Sequence, residues 1–327
     1  MNKSIEKIAV FTSGGDSPGM NAAIRAVVRT AIYYHKKIDG IMMGYEGMIE
    51  GEFIPMTARS VSNTIHRGGT ILKSARSENF KTKAGRKKAY DNLRANHIDG
   101  IVAIGGDGTF TGAEIFFQEF GVPTIGIPGT IDNDLYGTDF TLGYDTAVNT
   151  AIDAIDKIRD TAASHNRLFF VEVMGRDSGC IALAAGVAGG AEYILLPERT
   201  TSINDLIEIL EEGAQNKKSS SIVIVAEGEH GGGAYKIAEK VKSQFDYYDT
   251  KVVVLGHIQR GGSPGVADRL LGSRLGVAAV EALINGESRK MVGMINNKVV
   301  LTPFAEATTK DFELDKELLR IASLLSI

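Results

Sequence analysis

The sequence predicts an α/β protein with open, mostly parallel sheets flanked by helices, and two observations support this fold class. Short runs rich in Val and Ile alternate with helical patterns along the 327 residues. The runs are predominantly apolar, as expected of strands buried on both faces of a parallel sheet. Because at least eight such runs occur, two sheets fit the chain better than one.

The candidate strands share this apolar character and are separated by loops and helices. They are Ile8–Phe11, Ile38–Met42, Gly100–Ile104, Thr124–Ile127, Leu168–Val173, Tyr193–Leu196, Ile222–Ala226 and Val252–Leu255. One predicted helix, Tyr144–Ala163, carries an apolar face that includes Ile152 and Ile155. Another begins at Ser202, which together with Asp205 matches a capping box.

Composition and charge exclude several classes of protein. Apolar residues make up 43% and charged residues 23%, which is ordinary for a soluble globular chain. The net charge of −4 gives no bulk attraction to nucleic acid or acidic lipid. The single cysteine, Cys180, rules out an internal disulfide and indicates a reducing compartment. No apolar run is long enough for a secretory signal or a membrane span, so we expect a cytoplasmic protein without a membrane partner.

The first glycine-rich loop, TSGGDSPGMNAA at residues 12–23, follows the first candidate strand. Pro18 suits the first turn of a helix that starts near it. A strand, a glycine turn and a helix N-terminus present free N–H groups and the positive end of a helix dipole, which favours a bound phosphate. The alternative is a tight turn without a ligand, since the loop matches neither a Walker A motif nor GxGxxG.

The second loop, IGGDGT at residues 104–109, also comes directly after a strand. Its glycines would let a ligand approach the backbone, and Asp107 could hold a Mg²⁺ ion that bridges two phosphates. The alternative for Asp107 is a helix N-cap or an Asx turn. Two such loops at the carboxyl ends of strands predict one shared crevice.

The third segment, PGTIDND at residues 128–134, contains Asp132 and Asp134 beside Thr130. An ordinary Asp is ionised at neutral pH and can accept a proton from a hydroxyl that attacks a phosphoryl group. The alternative is a polar turn.

Cationic and polar residues follow later strands. Arg176, His257 and Arg260 each come just after an apolar run, at the edge where such sheets bind ligands. Guanidinium groups grip phosphate through two parallel hydrogen bonds, although isolated arginines are more often solvated surface. Cys180 lies in a helix of small residues without an obvious base, which indicates packing.

Together these segments resemble the ATP-dependent 6-phosphofructokinases of bacterial type over essentially the whole chain. TSGGDSPGMNAA, GGDGT, PGTIDND, VEVMGR and LGHIQRGGSP occur in the order and spacing of that family. The resemblance implies two Rossmann-like domains and Mg²⁺-assisted transfer of the γ-phosphoryl group of ATP to the 1-hydroxyl of D-fructose 6-phosphate. The products would be fructose 1,6-bisphosphate and ADP, in the committed step of glycolysis.

The resemblance also implies roles for individual residues. Asp132 matches the general base, Thr130 and Asp134 flank it, and Asp107 matches the magnesium ligand. Arg76 and Arg176 are suited to stabilising charge on the transferred group. The residues that match nucleotide contacts are Gly15, Arg76, Ser77, Gly106, Asp107, Gly108 and Thr109. Those that match sugar phosphate contacts are Thr130, Ile131, Asp132, Arg167, Met174, Gly175, Arg176, Glu227, Lys251, His257, Ile258, Gln259 and Arg260.

The family is a homotetramer in which the residues matching Arg167 and Lys251 reach into a neighbour's site. Lys251 stands where the family usually has Arg, so we expect a weaker grip on the sugar phosphate. The resemblance places an ATP-binding domain at 1–143 plus 257–305. It places a fructose 6-phosphate-binding domain at 144–256 plus 306–327.

An effector site for ADP or phosphoenolpyruvate is a further expectation from the family. The residues that match it are Arg25, Arg29, Arg159, Glu192 and Lys218. Because Glu52 and Asn216 stand where the family has cations, we expect an altered or reduced response. The alternative for the two helix arginines is a solvated face.

Alternative functions remain open on the sequence alone. In pyrophosphate-dependent relatives Asp and Lys replace Gly108 and Gly129, so the two glycines favour ATP. A dinucleotide oxidoreductase would need GxGxxG. A nucleotide sensor would not need a base such as Asp132, and a lipid or NAD kinase would share GGDGT but not PGTIDND.

Overall fold

The computed structural model describes residues 5–162, 164, 166–199, 202–310 and 312–325. The chain folds into two compact units, each assembled from several stretches. Unit 1 comprises Met1–Ile131, Leu135–Thr146 and Arg260–Phe312. Unit 2 comprises Asp132–Asp134, Ala147–Gln259 and Glu313–Ile327.

Strands and helices alternate along much of the chain. The strands are β1 (Lys7–Thr12), β2 (Lys37–Ile41), β3 (Phe53–Pro55), β4 (Gly100–Gly105), β5 (Thr124–Thr130), β6 (Leu142–Gly143), β7 (Arg167–Val173), β8 (Tyr193–Leu195), β9 (Ser220–Ala226), β10 (Asp249–Val254), β11 (Lys290–Ile295) and β12 (Lys298–Pro303). The helices are α1 (Met20–Tyr33), α2 (Gly44–Glu50), α3 (Lys83–Ala95), α4 (Asp107–Phe120), α5 (Tyr144–Ala162), α6 (Cys180–Ala188), α7 (Ile203–Gln215), α8 (Gly233–Lys242), α9 (Val266–Ile284), α10 (Phe304–Ala307) and α11 (Lys316–Leu325).

Unit 1 is built on a sheet with the strand order β12-β11-β5-β4-β1-β2-β3, and β6 pairs with β5. The pairs from β2 to β11 are parallel, whereas β3 and β12 run antiparallel at the two edges. Alternate residues of β1 enter different cores, because successive side chains point to opposite faces. Ile8 and Val10 pack in a core with α1 and α9, and Phe11 packs in a second core with α2, α3 and α4.

Unit 2 is built on a parallel sheet with the order β10-β7-β9-β8. Leu168, Phe170 and Val223 of its strands share a core with Leu206 of α7 and Ile237 of α8. Together the two sheets confirm the predicted fold class.

Most elements expected from the sequence are present. All eight candidate strands are found, as is α5, although Ala163 lies outside the described residues. At the start of α7, the Ser202 hydroxyl accepts a hydrogen bond from the Asp205 N–H at 3.3 Å, which confirms the cap.

Three expectations were wrong or incomplete. Helix α1 begins at Met20, and Pro18 lies in the turn before it, because Gly19 adopts a left-handed φ of 103° there. Strand β10 is not buried on both faces, since it lies at the edge of its sheet. The short strands β3 and β6 and the hairpin formed by β11 and β12 were not predicted.

Helices long and apolar enough to cross a bilayer are absent from the part of the chain that the structure describes.

Candidate functional site

The first and second glycine loops meet at one edge of the unit 1 sheet. They follow β1 and β4, which are parallel neighbours with Thr12 in register with Ile104. The Ser13 N–H donates a hydrogen bond to the carbonyl of Ile104 at 2.9 Å. A Cβ built on Gly105 would lie 2.8 Å from the Ser13 carbonyl oxygen, so only glycine allows this approach. The structure therefore brings the two predicted loops together.

The second loop leads directly into helix α4. Gly106 is its N-cap and offers no side-chain oxygen, while Asp107 is the first helical residue and is exposed. The N–H groups of a helix's first turn lack intrahelical partners, and the helix dipole adds positive potential there. A Cβ on Gly108 would have no atom within 4 Å. This helix end is thus open to an anion, and the N-cap of α4 is Gly106 and not Asp107.

The third segment continues strand β5 past the second loop. A Cβ on Gly106 would lie 3.8 Å from the Cβ of Thr130, so both segments lie at the same place in unit 1. Beyond Thr130, Ile131, Asp132 and Asn133 are buried, and Asn133 has a left-handed φ of 52°. The segment is a packed, ordered turn rather than a solvated polar loop.

Arg76 and Ser77 lie on a segment of unit 1 that is fixed by hydrogen bonds. Arg76 is exposed, whereas the Ser77 hydroxyl donates to a carboxylate oxygen of Glu46. Hydrogen bonds from Ser77 and then Asn79 hold the pKa of Glu46 below its usual value. The carboxylate of Glu46 is therefore well suited to remain ionised while it orients Ser77.

Two residues that the sequence did not single out anchor the preceding loop. The Asn21 side chain accepts from the Ile71 N–H at 2.8 Å and donates to the Arg67 carbonyl at 2.9 Å. The Thr12 hydroxyl donates to the carbonyl of Lys73 at 2.8 Å. Both lie within or next to the first glycine loop, so their position in that motif was the available signal.

Arg260 lies in unit 1 against the first glycine loop. Its Nη1 donates to the Asp16 carbonyl at 3.3 Å and occupies the space that a Cβ on Gly15 would need. The resemblance gave Arg260 a sugar phosphate role and Gly15 a nucleotide role. Within unit 1, the structure brings these two residues together.

In unit 2, a second group of predicted residues gathers where strands β7 and β9 end. The Met174 N–H donates to Gln259 Oε1 at 2.8 Å, and the Glu227 N–H donates to the Val173 carbonyl at 2.9 Å. Arg176 and Glu227 are exposed, and the Arg176 N–H lies 3.4 Å from the Glu227 carboxylate.

The remaining residues of this group lie on a short 3-10 turn, Gly256–Arg260. His257 and Ile258 are exposed on it, while Gln259 is buried. Among the described residues, Gln259 Nε2 has no hydrogen-bond partner. Together with Met174–Arg176 and Glu227, residues Gly256–Gln259 of the turn give unit 2 a polar surface at the carboxyl ends of its strands.

Arg167 lies at the other end of the unit 2 sheet, and Lys251 lies two residues further along the neighbouring strand β10. Arg167 begins β7, and Asp249 of β10 is its register partner. The Asp249 carboxylate lies 2.8 Å from Lys251 Nζ and 3.7 Å from Arg167 Nε. The ammonium of Lys251, followed by the charge of Arg167, holds the pKa of Asp249 below its usual value. At ~3.3 Å per residue, Arg167 and Met174 are roughly 20 Å apart along β7.

The predicted effector residues divide between the units. In unit 2, Lys218 lies 3.0 Å from the buried Glu192 carboxylate, which also accepts the Ile222 N–H. Arg159 donates to the carbonyls of Gly189 and Gly190 at the end of α6. In unit 1, Arg25 and Arg29 lie one turn apart on α1.

Burial determines the pKa of the Cys180 thiol. It starts helix α6 and is buried, and burial raises the pKa of its thiol to about 12. A thiol that stays protonated is a poor nucleophile, which supports a packing role.

Clusters of three or more His, Cys, Asp or Glu side chains that could hold a metal ion by themselves do not occur among the described residues. Magnesium does not require one, because it commonly takes one or two protein carboxylates and completes its coordination with phosphate oxygens and water. The exposed carboxylate of Asp107 at the open end of α4 fits that donor set.

Comparison with known proteins gives consistent matches. A family model described as phosphofructokinase matches residues 7–283. The ATP-dependent 6-phosphofructokinase of Cytophaga hutchinsonii is 54% identical over 322 residues, which cover 98% of each chain. The ATP-dependent 6-phosphofructokinase 1 of Thermus thermophilus is 55% identical over 323 residues, which cover 99% of this chain and all of the relative.

Solved structures show the same fold. Phosphofructokinase from Saccharomyces cerevisiae superposes with a TM-score of 0.88 at 36% identity, over 98% of this chain and 46% of that one. A pyrophosphate-dependent phosphofructokinase from Marinobacter aquaeolei superposes with a TM-score of 0.83 at 22% identity, over 98% of this chain and 91% of that one. At this lower identity the likeness extends to the fold alone.

Proposed function

The chain belongs to the phosphofructokinase family, and from this premise we propose that it is an ATP-dependent 6-phosphofructokinase. It transfers the γ-phosphoryl group of ATP to the 1-hydroxyl of D-fructose 6-phosphate, as a phosphotransferase with an alcohol acceptor. The observation that carries the proposal is 54% identity over nearly the whole chain to a relative of that name. We propose the cytoplasm as its compartment.

ATP is proposed to bind to the glycine loops of unit 1. The open N-terminus of α4 at Gly106–Gly108 offers backbone N–H groups to the phosphates, and Gly15 of the first loop is a further proposed contact. Arg76, Ser77 and Thr109 complete the proposed nucleotide contacts. The proposed ATP-binding domain is 1–143 plus 257–305, and the proposed sugar phosphate domain is 144–256 plus 306–327.

A kinase of this family acts with a divalent metal ion, and we propose Mg²⁺ at Asp107. When bound, the ion neutralises phosphate charge, which lowers the repulsion that an approaching hydroxyl meets. Asp107 would contribute its carboxylate, and the N–H groups of the α4 terminus would hold the remaining phosphate charge. The exposure of Asp107 supports this assignment.

Asp132 is proposed to accept the proton of the sugar 1-hydroxyl as that oxygen attacks phosphorus. Thr130 and Asp134 orient the sugar around it, and Arg76 and Arg176 neutralise the charge on the transferred group. The chain otherwise acts by holding and neutralising its ligands, because phosphoryl transfer needs little covalent participation from the protein.

The sugar phosphate is proposed to bind to the polar surface at the carboxyl ends of the unit 2 strands. Met174, Gly175, Glu227, His257, Ile258, Gln259 and Arg260 are the proposed contacts, with Ile131 beside Asp132. Arg167 lies roughly 20 Å from Met174 along β7, further than one small sugar phosphate spans, and Lys251 is linked to Arg167 through Asp249. This separation supports the proposal that they serve a neighbouring subunit's site in a homotetramer.

The proposed effector site takes ADP or phosphoenolpyruvate at Arg25, Arg29, Arg159, Glu192 and Lys218. The ion pair between Lys218 and Glu192, and the carbonyls bound by Arg159, already engage part of this charge. A reduced response to either effector agrees with that arrangement, and titration of each against the rate measures it.

The proposed function is tested by a coupled assay of fructose 6-phosphate with ATP and Mg²⁺, on the wild type and on Asp132→Ser. We expect wild-type turnover, and a kcat lowered by about 10²–10⁴-fold in the variant because the positioned base is lost. The dissociation constants of both ligands should change little. Asp91→Ser, an exposed aspartate of α3 that pairs with Lys87, is the matched control and should leave kcat unchanged.

Full activity in Asp132→Ser would remove the base assignment, and no turnover with ATP in the wild type would remove the function. Pyrophosphate at equal concentration tests the alternative donor. Glycine at both 108 and 129 favours ATP, so we expect pyrophosphate to be the poorer donor.

A further inference from the structure

Asp268 is a buried carboxylate of unit 1 outside every proposed ligand contact. It lies in the first turn of α9 and is 1% exposed. Its Oδ1 accepts the Gly143 N–H at 2.7 Å. Its Oδ2 accepts the Thr146 N–H at 2.9 Å and the Thr146 hydroxyl at 2.5 Å. Asp268 thus binds the beginning of helix α5 from another helix.

The same hydrogen bonds form a closed ring. The Thr146 hydroxyl, which donates to Asp268, accepts the N–H of Gly265 at 2.9 Å. Gly265 is the N-cap of α9, so the first turns of α5 and α9 are joined in both directions. The ring therefore links the two helix starts to each other.

This ring binds strand β6, which pairs with the end of β5. Gly143 ends β6, and β6 pairs in parallel with β5 with Gly143 in register with Thr130. The Thr141 hydroxyl donates to the carbonyl of Thr130 at 2.6 Å. Thr130 is two residues before Asp132. A path of hydrogen bonds within unit 1, followed by two peptide units, therefore leads from Asp268 to the proposed base.

Packing on the other side of Gly143 leaves no room for a side chain. Gly143 adopts a left-handed φ of 99°. A Cβ there would lie 2.6 Å from the Cβ of Ser17 and 3.1 Å from Cγ2 of Ile131. Gly143 thus lies between Ser17 of the first glycine loop, Ile131 of the third segment and the carboxylate of Asp268. Gly143 is therefore close to Ile131, the residue before Asp132.

We propose that Asp268 is a positioning residue for phosphoryl transfer, which fixes β6 and through it the segment Thr130–Asp132. This inference rests on the proposed function, in which Asp132 accepts the hydroxyl proton. A carboxylate is needed because both of its oxygens face donors only. An asparagine would turn an NH₂ group toward either the Gly143 N–H or the donors of Thr146. A shift of about 1 Å at a reacting group costs up to ~10²-fold in rate.

Burial of the Asp268 carboxylate carries an energetic cost. Burial raises the pKa of Asp268, although the hydroxyl of Thr146 and the two N–H groups act to lower it. The charged form is therefore less favourable here than in water, and an exposed Ser or Thr cap would satisfy a helix terminus more simply.

The first test compares Asp268→Asn with Asp39→Asn. Asp39 is another buried carboxylate of unit 1, on β2, and pairs with Lys7 at 2.6 Å. We expect Asp268→Asn to lower kcat by about 10- to 100-fold, with both KM values within about threefold of wild type. Asp39→Asn should lower the unfolding midpoint and leave kcat unchanged. A folded Asp268→Asn with wild-type kcat, or a loss confined to KM, overturns the proposal.

Thr146 supplies a second pair of variants should Asp268→Asn fail to fold. Thr146→Val removes the hydroxyl that links Asp268 to Gly265, and Thr146→Ser keeps it. We expect Thr146→Val to lower kcat by roughly 3- to 10-fold and Thr146→Ser to retain wild-type kcat. Equal kcat values for the two variants contradict the proposal.

A double variant distinguishes positioning from general damage. If Asp268 acts through Asp132, adding Asp268→Asn to Asp132→Ser should change the remaining kcat by less than about twofold. If the single-variant loss recurs in full in the double variant, Asp268 does not act through Asp132. Wild-type activity in Asp132→Ser alone is a separate result, which overturns the base assignment of the proposed function.

Discussion

The second glycine loop and the end of β5 are neighbours in unit 1, yet their glycines have opposite surroundings. A Cβ on Gly108 would have no atom within 4 Å. A Cβ on Gly129 would lie 3.0 Å from both Ile104 Cγ2 and Met20 Cε and 3.3 Å from the Gly105 nitrogen. Gly129 of β5 has little room for a side chain, whereas Gly108 of the loop leaves a space that no neighbouring atom fills.

The difference separates two reasons for a glycine in a phosphate-binding region. At 129, the absence of a side chain lets β4, β5 and α1 pack closely. At 108, it keeps the first turn of α4 open to solvent and to a ligand. A substitution at 108 should therefore change ligand binding and leave stability unchanged. A substitution at 129 should lower stability and leave ligand binding unchanged.

The largest expected effect is that of Gly108→Asp on the use of ATP. A carboxylate in the open space would face the phosphates, and like charges side by side cost several kcal/mol. We expect kcat/KM for ATP to fall by about a hundredfold or more in the coupled assay. The unfolding midpoint should not fall, because the new side chain meets no neighbour.

Gly108→Ala is the control for this prediction. It adds a Cβ without charge in the first turn of α4, where Ala stabilises a helix by roughly 0.5–1 kcal/mol relative to Gly. It should retain most of the ATP activity. A loss as large as that of Gly108→Asp would show that the space is needed sterically, and unchanged ATP use in Gly108→Asp would remove this part of unit 1 from the nucleotide site.

The next effect in size is the loss of stability in Gly129→Ala. Overpacking a well-packed position costs about 1–3 kcal/mol, because neighbours must move to admit the new methyl group. Chemical denaturation should show this decrease in the free energy of unfolding, with Gly108→Ala as the matched variant that shows none. Equal stabilities for the two alanine variants would mean that the two regions do not differ as described.

The sequence predicted much of this framework because its signals are local. Apolar runs located eight strands, and Ser202 with Asp205 located the start of α7. Glycine loops directly after strands located the segments at residues 12–23 and 104–109, which meet in unit 1. The assignment of ligands to these loops came from the family resemblance and stays a prediction.

What the sequence did not predict depends on distant partners. Strands β9 and β10 both contain Val-rich runs, yet of the two only β10 is an edge strand, and the Val runs themselves do not show this difference. Likewise, the motifs contain both Gly108 and Gly129 without showing that one is crowded. In the sequence, Asp268 looks like an ordinary acidic residue in the first turn of a helix. Its partners Gly143 and Thr146 are more than a hundred positions away along the chain, so the local sequence does not indicate them.

The smallest expected effect concerns the exposed residue Lys251. Its substitution should change ligand binding and leave stability unchanged, as we expect at Gly108 but not at Gly129. On the edge strand β10 it contacts Asp249, so an exchange for Arg meets no packed core. We expect Lys251→Arg to lower the KM for fructose 6-phosphate by about two- to fivefold, because a planar guanidinium holds phosphate through two hydrogen bonds. The kcat and the unfolding midpoint should stay at wild-type values.

Lys157→Arg is the matched control for this exchange, since Lys157 is an exposed lysine of unit 2 that pairs with Asp153 on α5. It should leave the KM unchanged. A KM that is unchanged or higher in Lys251→Arg would contradict the phosphate role of this position. If instead the unfolding midpoint fell, Lys251 would contribute to stability, as we expect of Gly129. Exposure of a residue would then not predict that it acts on ligand binding rather than on stability.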